Sequence, residues 1–177
     1  MRTGARQWTR FRLGGALAVA ALAAVLTATA AIGGTSREAQ ASAMTPAATS
    51  AKTPVLISTR KVRGLGTVLV DAKGLTLYMF VPDKRKRVTC EHVCAAVWPP
   101  VKVTKGQKIV GQRGVKAKLL GSDRNPAGGR VVTYARWPLY TYVADTKPGM
   151  AKGQALDLNG GLWYVLAPSG KVIRKKG

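Results

Sequence analysis

The chain has 177 residues, with 29 Lys+Arg against seven Asp+Glu, one histidine and two cysteines, for a formal net charge of +22. So few acids argue against the clustered oxygen ligands of a calcium site and against the paired carboxylates of a glycosidase. A serine–histidine triad would have to use the single histidine, which sits between the two cysteines.

The N-terminus reads as an export signal over residues 1–41. Arg2, Arg6, Arg10 and Arg12 precede an uncharged, alanine-rich run over 13–32. Ala28-Thr29-Ala30 and Ala39-Gln40-Ala41 both fit a small-x-small cleavage site. The run is also close to the length that spans a bilayer, so an uncleaved signal anchor is the alternative. Either way the body lies outside the cytoplasm, secreted or at the bacterial envelope. Cleavage after Ala41 would leave 136 residues, enough for one modest domain, with 24 Lys+Arg and six Asp+Glu for a net charge of +18. Residues 42–63 are assigned to a flexible linker, because 42–54 is polar and of low complexity.

The domain is assigned to 64–177. Alternation with period two predicts strands over 67–70 and 75–81 around a turn at Asp71-Ala72-Lys73-Gly74. Lys84-Arg85-Lys86-Arg87 is the densest basic cluster and the candidate contact for an anionic surface. The 90–98 stretch is the one short helix expected, stopped by Pro99-Pro100. Residues 115–120 are a further candidate strand. Strands follow over 130–134 and 138–143 around Ala135-Arg136-Trp137, and over 162–166 and 171–173 around Pro168-Ser169-Gly170. The expected fold is mainly β, a small antiparallel domain built from two related hairpin-containing repeats.

The repeat itself is written in one phrase. Leu77-Tyr78-Met79-Phe80-Val81-Pro82-Asp83 returns 62 residues later as Leu139-Tyr140-Thr141-Tyr142-Val143-Ala144-Asp145. Each copy is followed by a tryptophan, Trp98 or Trp163, and the repeats run over about 64–101 and 119–173. On such strands Tyr78 and Phe80 share one face, as do Tyr140 and Tyr142. Large aromatics dominate a small core, so these rings and the two tryptophans read first as core and second as a ligand-stacking platform. Asp83 and Asp145 follow the strands where the chain turns. They are expected to accept backbone N–H bonds two residues on; the enzymatic alternative is a two-fold-related aspartate dyad sharing a proton.

Cys90-Glu91-His92-Val93-Cys94 is the most reactive-looking segment. Export favours a disulfide between Cys90 and Cys94, which would pin the short helix. The alternative is redox or copper chemistry. Two thiolates with His92, helped by Met79 or Met150, would suit Cu(I), although a regular helix turns His92 away from the face the cysteines share.

The chain resembles the bacterial secreted repeat family, predicted lipoproteins with a Tyr-x-aromatic-x-x-Asp motif. The first copy is similar in Leu69-Val70-Asp71-Ala72-Lys73-Gly74, Tyr78 with Asp83, Cys90-x3-Cys94 and Ala95-Ala96-Val97-Trp98-Pro99-Pro100. The second is similar in Thr133-Tyr134, Pro138-Leu139-Tyr140, Asp145-Thr146, Pro148-Gly149, Gly153-Gln154 and Gly160-Gly161-Leu162-Trp163-Tyr164-Val165. The resemblance implies a fold and an extracytoplasmic location and no activity. No cysteine follows the N-terminal apolar run, so the lipid attachment point of many members is missing. The functional expectation is an exported, non-catalytic binding or structural protein that meets anionic wall polymer or a membrane surface, with no specific nucleic-acid partner. The competing class is an extracytoplasmic redox or copper-handling protein.

Overall fold

The computed structural model describes residues 52–85 and 87–176, so the export segment and Lys86 lie outside the described residues. The domain is built from short strands in three sheets with one short helix, and most strand pairs are antiparallel. In the first sheet β1 (Val55–Val62) pairs antiparallel with β2 (Gly66–Val70) and parallel with β5 (Ile109–Gly111). In the second, β10 (Leu162–Leu166) is flanked by β3 (Tyr78–Phe80) and β11 (Val172–Ile173), and β9 (Leu156–Asp157) also pairs with β10. In the third, β7 (Arg130–Tyr134) lies between β4 (Lys102–Val103) and β6 (Leu120–Arg124), and β8 (Trp137–Pro138) turns back on it.

The period of two sorts the core into two clusters. Leu77, Met79, Leu139, Tyr164 and Leu166 join Ile57, Leu69, Val132 and Tyr134 in one. Their sequence neighbours Tyr78, Phe80, Tyr140, Trp163 and Val165 join Val68 and Trp98 in the other. Strands β3 and β10 are therefore buried on both faces, which is why they read as almost unbroken apolar runs.

Several boundaries differ from the sequence reading. The assigned linker ends early, because 55–62 forms β1. Val55-Leu56-Ile57 supplies β-branched and apolar residues, Ile57 is fully buried, and the polar half, Ser58 to Lys61, hides the strand from a compositional reading. The helix is only α1 (Val93–Val97), since His92 at φ 48° breaks the helical path before it. The candidate strand over 115–120 is instead a 3-10 turn, Ala117–Leu119, that feeds β6. The 135–137 turn is tighter than expected. Ala135 and Arg136 take left-handed φ values of 48° and 69°, and Trp137 already belongs to β8.

Candidate functional site

The two copies of the motif meet each other. The backbones of Tyr78 and Tyr140 exchange hydrogen bonds, with N–H to O distances of 2.8 and 3.0 Å, so a local two-fold passes between them. Each motif strand then lies against the tryptophan strand of the other repeat. Phe80 stands opposite Trp163 and Tyr78 opposite Val165 in the β3–β10 register. The same arrangement recurs on the other side of the axis. Thr141 N–H donates to Pro99 O at 2.9 Å and Val143 N–H to Val97 O at 3.2 Å, which sets Tyr142 opposite Trp98.

This crossing produces a column of four stacked rings. Phe80 stacks on Trp163 at 4.2 Å between centroids, Trp163 on Trp98 at 3.9 Å, and Trp98 on Tyr142 at 4.1 Å. Tyr78 meets Trp98 edge-on at 5.4 Å, and Tyr140 meets Trp163 edge-on at 5.2 Å. The indole N–H groups are also satisfied: Trp98 Nε1 donates to Asn159 Oδ1 at 3.2 Å and Trp163 Nε1 to Leu158 O at 3.0 Å. Both tryptophans, Tyr78 and Tyr140 are buried, and Tyr142 at the end of the column is half-buried.

The aspartates complete the crossing. Tyr78 Oη donates to Asp145 Oδ2 at 2.5 Å, and Tyr140 Oη donates to Asp83 Oδ2 at 2.7 Å. Each tyrosine therefore bonds the carboxylate of the opposite repeat. The second oxygen of each carboxylate holds a loop. Asp83 Oδ1 accepts from Thr89 N–H and Thr89 Oγ1, both at 2.8 Å, and Asp145 Oδ1 accepts from Lys152 N–H at 2.9 Å. Gly153 N–H reaches Tyr78 Oη at 3.3 Å.

The expected turn two residues on is not what these aspartates make; their partners lie six or seven residues on and across the repeats. That turn belongs to Asp71, whose Oδ1 accepts from Lys73 N–H at 2.9 Å. No hydrogen bond joins Asp83 to Asp145 among the described residues, and each carboxylate is committed to a phenol instead. Thr89, Lys152 and Gly153 escaped the sequence reading as site residues, because a partner of a buried carboxylate carries no local pattern of its own.

Burial governs the titration of this group. Desolvation pushes the Tyr78 and Tyr140 hydroxyls far above the ordinary phenol value, and the facing carboxylates push the same way. Desolvation also raises the Asp83 carboxyl, against the opposing hydrogen bonds from Tyr140 and Thr89. Each motif tyrosine is thus bonded to the motif aspartate of the opposite repeat, and each aspartate also holds a loop of its own repeat.

The remaining candidates lie elsewhere. Cys90 and Cys94 are joined as a disulfide with Cα atoms 5.2 Å apart, and Cys90 lies outside α1 with only 2% exposure. In this form they offer no thiolates. The His92 side chain is 88% exposed, with Glu91 at 3.9 Å, so the three proposed copper ligands do not converge. Lys84 and Arg87 are exposed, and Arg85 lies over the Trp137 ring at 5.9 Å. Among the described residues there is no group of three His, Cys, Asp or Glu able to hold a metal ion, and no helix long and apolar enough to cross a membrane.

A family model described as a secreted repeat of unknown function matches residues 59–102 and again 122–167. The two matches fall on the two interlocked copies. No curated protein and no solved structure matches the chain.

Proposed function

The chain belongs to the family of secreted repeats of unknown function, and from that premise we propose that it is an exported, non-catalytic module that binds anionic polymer or lipid at the bacterial envelope. The observation that carries this reading is the state of its charges. Among the described residues no lysine or arginine is ion-paired with a carboxylate; the one close charged pair is His92 with Glu91. Two of the six acids that follow Ala41 are spent inside the core on tyrosines. Among the described residues the cationic side chains are therefore not neutralised by carboxylates, which favours polyanions over a long range at low salt. The leader over 1–41, cleaved or kept as an anchor, belongs to the same proposal.

The competing reading, redox or copper handling by Cys90 and Cys94, needs the reduced pair, and the 2% exposure of Cys90 weighs against it. The test of the binding reading is retention of the full chain on immobilised teichoic-acid-like polymer and on anionic vesicles across a salt series. The expected result is firm retention at low salt that falls steeply as salt rises. No retention on either at low salt would end this reading.

A further inference from the structure

We propose that the anion-binding seat is an open groove beside β1, and that it takes a flexible chain of phosphate groups without bases, a phosphodiester or polyphosphate polymer. This rests on the binding reading above. The groove encloses about 480 Å³ between β1, the turn that follows β2, and the turn that follows β5. Its lining includes Arg60 and Lys61 of β1, Lys73 of the first turn and Arg113 of the second. One carboxylate, Asp71, lies among them, and its Oδ1 is occupied by Lys73 N–H at 2.9 Å and Leu75 N–H at 2.8 Å. Among the described residues, four cationic residues on three backbone segments thus line this space, with one acid that is turned to its own loop.

Hydrogen bonds tie the turn that carries Arg113 to β1: Gln112 N–H donates to Ile57 O at 2.8 Å, and the Thr59 hydroxyl donates to the Arg113 carbonyl. In the first turn Gly74 takes φ 81°, and a Cβ there would stand 3.2 Å from Arg60 Nη2. The glycine lets the guanidinium lie against the turn. The cluster at 84–87 differs: Lys84, Arg85 and Arg87 are exposed and close in sequence, and Arg85 lies over Trp137.

The lining also selects the ligand. Arginine offers a planar fork that matches phosphate oxygens, and two arginines face this space. Among the described residues no aromatic side chain lines it, so these offer nucleobases nothing to stack on. The groove is bounded by residues of three chain segments, a concave shape that admits a single flexible chain more readily than a flat bilayer.

Calorimetry of the full chain with sodium polyphosphate and with poly(glycerol phosphate), over a salt series, tests this. Oligo-dT of matched charge and anionic vesicles serve as comparators. Arg60→Gln with Lys73→Gln should weaken polyphosphate binding by at least about tenfold and lower the salt slope by about 0.7 for every phosphate the variant no longer neutralises. Arg85→Gln with Arg87→Gln should weaken it by less than about threefold, the smaller effect expected of a peripheral charge. In the unsubstituted chain, polyphosphate should shift the amide resonances of 58–61, 71–74 and 112–113; this readout stands even if a variant fails to fold. Full binding by the groove variant, with weakened binding by the cluster variant, would overturn the groove and leave the general reading intact. Tighter binding of oligo-dT or vesicles than of polyphosphate would overturn the ligand class. Absence of binding to every polyanion would remove both readings.

Discussion

Tyr78 and Tyr140 sit where water cannot reach them, each with its hydroxyl on a carboxylate of the other repeat. A buried phenolate beside a carboxylate is costly, so both hydroxyls keep their protons in the folded state well past the ordinary phenol value of about 10. The unfolded chain ionises there. Their contribution to stability is thus fully present below pH about 10 and is lost as pH rises further, by about 1.4 kcal/mol per pH unit for each tyrosine. Absorbance at 295 nm should show at least two of the five tyrosines ionising only as near-UV circular dichroism collapses; free titration of all five in the folded protein would contradict the buried pairing. Asp83 acts in the same direction at lower pH. Its raised carboxyl contributes stability present below the ordinary aspartate value of about 3.9, and that contribution is lost as pH rises toward its folded value. Gly153 is fixed by space: a Cβ there would stand 2.6 Å from Trp98 Cη2 and 3.0 Å from Tyr78 Cε1. Gly153→Ala should cost about 1–3 kcal/mol by urea unfolding through overpacking of the ring column; an unchanged midpoint would show that the column yields easily.

At the level of elements, neither repeat is whole by itself. The β3 strand of the first repeat takes its hydrogen bonds from β10 of the second, and the 139–143 segment of the second lies against 97–101 of the first. Fragments covering 52–118 and 119–177 should each be unfolded alone, since each lacks the partner of its most buried strand. Mixed in equal amounts they should regain the near-UV spectrum of the intact chain, and a folded single fragment would contradict the crossing. The duplication, the β class and the period of two were legible in the chain, because alternation depends only on which face is buried. The crossing was not, because a strand paired within its own repeat carries the same alternation. Likewise, Asp83 after a strand looks like a turn former until Tyr140 arrives from 57 positions away. The early end of the linker was hidden by the polar Ser58 to Lys61 half of β1, whose composition matches that of a solvated segment.

Across the whole molecule, charge and rings are segregated. The six-ring cluster fills the core between the repeats, and among the described residues the lysines and arginines lie outside it without carboxylate partners. The tyrosines and aspartates of the repeated motif are thus used in joining the halves. That division stands or falls on whether the tyrosine–aspartate pairs run between repeats. Double-mutant cycles with Tyr→Phe and Asp→Asn, read by urea unfolding of the whole chain, measure this directly. The expected coupling is about 1–3 kcal/mol for Tyr78 with Asp145 and for Tyr140 with Asp83, and within about 0.5 kcal/mol of zero for Tyr78 with Asp83 and Tyr140 with Asp145. Strong coupling inside each repeat, with none across, would contradict the interlock.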